Sequence, residues 1–112
     1  MSTKPRKEED FALKERPKTK RPRKYMVLLH NDDYTTMEFV VWVLVDLFNK
    51  SQTEAMHLML QVHSKGVGVA GVFTRDVAES KANEVSEAAR EHGHPLMCTV
   101  EPEPDSSSSD SE

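Results

Sequence analysis

Apolar positions along the chain follow six successive rhythms between Tyr25 and Val100, and each rhythm predicts one element. Tyr25–Leu29 (YMVLL) is a short β-rich run, read as a strand and ended by the turn formers Asn31, Asp32 and Asp33. Thr35-Thr36-Met37-Glu38 fits a capping box, with the Thr35 hydroxyl on the third helical amide and Glu38 reaching back. The helix it opens runs to about Phe48 and is apolar on most sides, which predicts a central position. Ser51-Gln52-Thr53-Glu54 is a second capping box. Its helix sets Ala55, Met59 and Val62 on one face and ends near Lys65-Gly66.

Gly66–Phe73 (GVGVAGVF) alternates small and β-branched residues and predicts a strand, its glycines marking a bulge or a close backbone approach. Thr74 is placed to cap a third helix with Ala78, Ala82, Val85 and Ala89 inward, stopped by Gly93 before Pro95. Leu96–Val100 is the last strand. The order β-α-α-β-α-β, with helices on one face of the strands, predicts an α+β fold built as a small two-layer sandwich.

The two ends differ in kind. Residues 1–23 hold three prolines, many charges and almost no aliphatic side chain beyond Leu13, too little apolar surface to offset ordering entropy. A disordered basic arm is expected there, and a disordered acidic, Ser-rich tail over 102–112. The folded unit is then 24–101. Charge follows these divisions. Residues 1–24 carry ten Lys/Arg against four Asp/Glu, residues 25–100 five against ten, and residues 101–112 none against five. A net charge of −4 therefore hides a basic arm, an acidic body and an acidic tail.

These features exclude several classes. No apolar run reaches the roughly 18 residues of a membrane span. The basic N-terminus lacks the apolar stretch of a signal peptide, so a cytoplasmic protein is expected. The single cysteine, Cys98, cannot form an internal disulfide or a Cys-based zinc site, and reads as a small hydrophobe in a strand. His57 and His63 are six apart, on different helix faces, and His92 and His94 flank Gly93 and read as solvated. No nucleophile motif and no phosphate-cradling loop is present, so an enzyme is not expected, and neither a metal nor a cofactor is called for. The basic arm invites a nucleic-acid reading. Against it stand the acidic body and a single aromatic in the arm, Phe11.

The densest polar run, His30 to Thr36, lies between a strand and a helix. Asn, Asp and Thr are what any turn and cap would use. Yet one cap needs one such residue. Here several flank it, two of them adjacent carboxylates, beside the large apolar Leu29 and Met37. That mixture also describes a small recognition pocket. A binder fits better than a catalyst, and a structural domain with NDDY as a plain cap remains the alternative.

Four stretches in register resemble the bacterial Clp protease adaptor family, ClpS: Asn31–Val40 (NDDYTTMEFV), Leu58–His63 (LMLQVH), Gly71–Thr74 with Ala78–Lys81 (GVFT, AESK), and His94–Thr99 (HPLMCT). The likeness spans roughly residues 24–101. It implies a three-stranded antiparallel sheet packed on three helices. It also implies an adaptor that binds a free N-terminal Leu, Phe, Tyr or Trp, the N-degron, and delivers the substrate to the AAA+ unfoldase ClpA and its peptidase ClpP; a monomer is the simplest oligomeric state to expect. By the resemblance, Asn31, Asp32 and His63 hold the α-amino group. Leu29, Thr35, Met37, Val40, Met59, Val62 and Leu96 line the side-chain pocket, and Glu79 and Lys81 dock on the unfoldase's N-terminal domain. The arm engages the unfoldase during hand-off.

The chemistry suits those roles. An ammonium offers three donors, and Asn31 a carbonyl, Asp32 a charge and neutral His63 a ring nitrogen to meet them. Met37 and Met59 are flexible enough for aliphatic and aromatic ends, with Met37 placed as the gate against β-branched ones. Thr36 departs from the family, standing where proline is common at the first helical position, an exchange expected to leave the site intact.

Overall fold

The computed structural model describes residues 22–104. The expected disorder of the arm (1–23) and of the tail (102–112) falls almost wholly outside them. Six elements follow the expected order: β1 (Tyr25–His30), α1 (Met37–Asp46), α2 (Gln52–Lys65), β2 (Val67–Phe73), α3 (Arg75–Glu91) and β3 (Met97–Pro102). The strands form one antiparallel sheet in the order β2-β1-β3, with β1 in the centre. The pairing continues past the strands, since the Glu103 amide donates to the Lys24 carbonyl at 2.8 Å.

Alternation along β1 sets the core. Val27 and Leu29, two apart on one face, are fully buried and join Phe39, Val43 and Leu44 of α1 in a single cluster. Ala55, Met59 and Val62 of α2 and Ala78, Val85 and Ala89 of α3 complete it, as their spacing predicts, whereas Ala82, also expected inward, is only half-buried and lies outside the cluster. The small side chains of α3 bring that helix against all three strands.

The glycines of β2 do both things expected of them. Register slips between Val27 and Leu28 of β1, a bulge that leaves Ala70 unpaired between Gly71 and Val69. A Cβ on Gly68 would sit 2.8 Å from Val62 Cγ2, so the missing side chain lets β2 run close against α2. At the junction of the two, Gly66 ends α2 at φ +91°, and its amide donates to the Val62 carbonyl.

Local capping corrects one expectation and supports another. The α1 cap is Thr36, not Thr35: its side-chain oxygen accepts from the Phe39 amide at 3.1 Å, and Met37 is the first helical residue. The position where the family commonly has proline is therefore the N-cap here, and threonine adds a hydrogen bond that proline lacks. Ser51 and Glu54 form the reciprocal capping box of α2. Thr74 occupies the N-cap of α3, but without a side-chain bond.

Candidate functional site

The loop from His30 to Thr36 is shaped by one carboxylate. Asp32 Oδ1 accepts from the Tyr34 and Thr35 amides, and Oδ2 from the Thr35 hydroxyl, all at 2.7 Å. Burial pushes its carboxyl up, but the Thr35 and Tyr34 hydrogen bonds and the charge of His94 outweigh that. The Asp32 pKa lies below its ordinary value. One residue earlier, the Asn31 amide donates to the Gly66 carbonyl at 2.9 Å. This bond ties the loop to the C-terminus of α2, whose last turn carries His63.

Between the loop and the two helices lies a cavity of about 290 Å³, lined by Asn31, Asp32, Asp33, Thr35, Met37, Val40, Met59, Val62 and His63. Val40, Met59 and Val62 are buried and form an apolar wall. Met37 is 46% exposed at the start of α1, and Asn31, Asp33 and His63 are also exposed. An apolar recess beside convergent acceptors is thus built where α1 and α2 meet. Ligand pockets generally start near ~300 Å³, so the recess has the scale of one residue rather than of a long peptide.

Eight of the predicted residues come together here. Leu29 and Leu96 do not: they are 0% and 6% exposed within the core and do not line the cavity. Asp33 was missed. It lines the cavity, and among the described residues its carboxylate takes part in no hydrogen bond or ion pair, in contrast to Asp32. Glu79 and Lys81 lie on α3 and do not line the cavity either. Glu79 is exposed and pairs with Arg75 at 3.3 Å. Lys81 is half-buried, and its Nζ donates to the Leu47 carbonyl at 2.7 Å, where it closes the end of α1.

Of the histidines read as solvated, His92 is exposed but His94 is not. The His94 ring stacks on Phe39 with centroids 4.4 Å apart. His30 shares a hydrogen bond with Thr99 at 2.8 Å across the β1–β3 pair. Among the described residues no three His, Cys, Asp or Glu side chains are grouped closely enough to hold a metal ion. No helix there is long and apolar enough to cross a membrane.

A family model described as "ATP-dependent Clp protease adaptor protein ClpS" matches residues 20–99. The chain belongs to the ClpS family. It is 58% identical over 90 residues to the ClpS adapter of Rhodospirillum centenum, covering 80% of this chain and 83% of that one. It is 57% identical over 94 residues to that of Desulfatibacillum aliphaticivorans, covering 84% and 90%. Among solved structures it resembles Agrobacterium tumefaciens ClpS2 bound to L-phenylalaninamide, with a TM-score of 0.72 and 46% identity over 74% of this chain and all of that one. ClpS membership makes the chain an adaptor of the Clp protease, not an enzyme.

Proposed function

We propose that this ClpS adaptor seizes a substrate by its free N-terminal residue, a bulky Leu, Phe, Tyr or Trp, and hands it to ClpA for degradation by ClpP. The observation that carries the reading is the recess itself, with an apolar wall of Val40, Met59 and Val62 beside the acceptors Asn31, Asp33 and His63. Its ClpS2 relative was solved with L-phenylalaninamide, which presents a free amine next to an aromatic side chain.

The two adjacent carboxylates divide the work. Three of the roughly four lone-pair positions on Asp32 are taken by the loop, so it holds the turn and adds negative charge. Asp33, whose oxygens engage no other described residue, is the carboxylate that meets the ammonium, together with the Asn31 carbonyl and His63. Hydrogen bonds to charged groups contribute ~1.5–3 kcal/mol each, and burying a Leu or Phe side chain a further ~1.5–3 kcal/mol. After association costs, an affinity on the micromolar scale, about −8 kcal/mol, follows. Met37, at the rim, admits aliphatic side chains unbranched at Cβ and aromatic ones, and excludes β-branched ones.

Docking on the ClpA N-terminal domain falls to α3, with Glu79 as its exposed contact and Lys81 as the side chain that fixes the helix against α1. The basic arm serves the hand-off, and the adaptor works as a cytoplasmic monomer without a cofactor or nucleic acid. Reconstitution with ClpA and ClpP tests the reading. A reporter protein beginning with Leu should be degraded faster when this chain is added, and the same reporter beginning with Met should not. Equal rates for the two reporters would contradict it.

A further inference from the structure

The end of α3 carries a ring cluster that the ligand recess does not use. Phe39, in the first turn of α1, lies between Trp42 at 5.7 Å and His94 at 4.4 Å, both stacked, with His92 tilted at 5.5 Å. His94 is itself held in place, its amide donating to the Ala89 carbonyl at 2.8 Å just past the left-handed Gly93. The other side of the same turn faces the recess. The Phe39 amide is the one that Thr36 caps, Met37 stands at the first helical position, and Val40 follows as wall. The charge of His94 also reaches Asp32, the carboxylate that shapes the loop.

We propose that His94 is a positioning residue for ligand binding: its ring, stacked on Phe39, holds the first turn of α1, and with it Met37 and the Asp32–Thr35 turn, in the geometry that receives the N-terminal residue. The proposal rests on the N-degron reading of the recess. A site of this kind needs its side chains held to about 0.5 Å, and a stacked ring pair has a preferred geometry and contributes beyond the area it buries, which an aliphatic contact of equal volume does not. His94 touches no ligand. It acts through Phe39.

Two substitutions separate the ring from the space it fills. His94→Leu keeps the volume and the burial but loses the plane; His94→Phe keeps the plane and loses the charge. Binding of a fluorescent peptide beginning with Leu is measured by anisotropy for the unaltered chain and both variants, with circular dichroism to verify folding. His94→Leu should weaken binding about fivefold, the scale of one aromatic pair. His94→Phe should bind like the unaltered chain. Rescue by His94→Phe, which restores the plane but not the charge, is what a purely volume-filling role would not predict. His94→Leu binding as tightly as the unaltered chain, or His94→Phe binding as weakly as His94→Leu, would each overturn the positioning role alone. No binding by the unaltered chain would overturn the N-degron reading, and the role with it.

Discussion

Asp32 and Thr35 are joined twice, amide to Oδ1 and hydroxyl to Oδ2, each at 2.7 Å. This pair, rather than the helix cap, gives the binding loop its shape. Asp32→Ala should lower stability to urea by about 1–2 kcal/mol at pH 7, the cost of removing a side chain that satisfies two backbone amides and a hydroxyl. The sign with pH follows from the lowered pKa. The carboxylate stabilises the fold above the unfolded pKa, and its contribution is lost as pH falls through the lower folded value. The gap between the parent chain and Asp32→Ala should therefore shrink below about pH 4. A gap unchanged at pH 3 would show that the ionised carboxylate is not what organises the turn.

Asp33 should behave in the opposite way. It is exposed and engages no partner among the described residues, so Asp33→Asn should leave the unfolding free energy in urea within about 0.5 kcal/mol of the parent. Binding of a Leu-starting peptide should fall about tenfold or more, as loss of a charge-assisted bond requires. Titration of both variants against one peptide separates holder from acceptor. Should Asp33→Asn bind normally, Asp32 would regain the acceptor role.

Thr36 tests what replaces the family's proline. Thr36→Ala should cost about 1 kcal/mol through loss of the bond from the Phe39 amide. Thr36→Pro loses the same bond, but φ of −74° suits proline, and restriction of the unfolded chain returns about 0.4–1 kcal/mol. Denaturation should place Thr36→Pro near the parent and above Thr36→Ala. A proline variant less stable than the alanine would mean that the turn cannot take the ring.

Cys98 reports on the closed sheet. Burial pushes its thiol up to about 12, so the thiolate that alkylating reagents need is absent at ordinary pH. Because the folded value is raised, this contribution to stability is present below the unfolded pKa and lost as pH rises through 12. At pH 8.5 iodoacetamide should label the folded chain far more slowly than the urea-unfolded chain. Comparable rates would place the thiol in water.

Most of the fold was legible because its signals are local. The Ser51–Glu54 box, the four-residue repeats of α2 and α3, and the glycines of β2 each needed only neighbours to interpret. The site was less so. Thr35 and Thr36 are equal candidates for a cap until Asp32 claims the first, and that bond depends on how the loop folds back. Leu29 and Leu96 were assigned to the pocket because an apolar side chain has the same signature in a pocket wall and in a core. Which of two adjacent carboxylates turns toward the backbone is likewise a matter of loop geometry. His94 lies beyond the helical repeat, in a turn, where no periodicity could point it at Phe39, fifty-five residues earlier.

The central claim is that a free amine and a bulky side chain are read together in one recess. Four fluorescent peptides identical except at residue one, Leu, Phe, Ile and N-acetyl-Leu, test it by anisotropy titration. The account predicts micromolar or tighter binding of the first two, weak binding of the β-branched Ile at the Met37 rim, and a loss of about 2–5 kcal/mol on acetylation, which leaves Asp33 desolvated without a cation. N-acetyl-Leu binding as tightly as free Leu would contradict it.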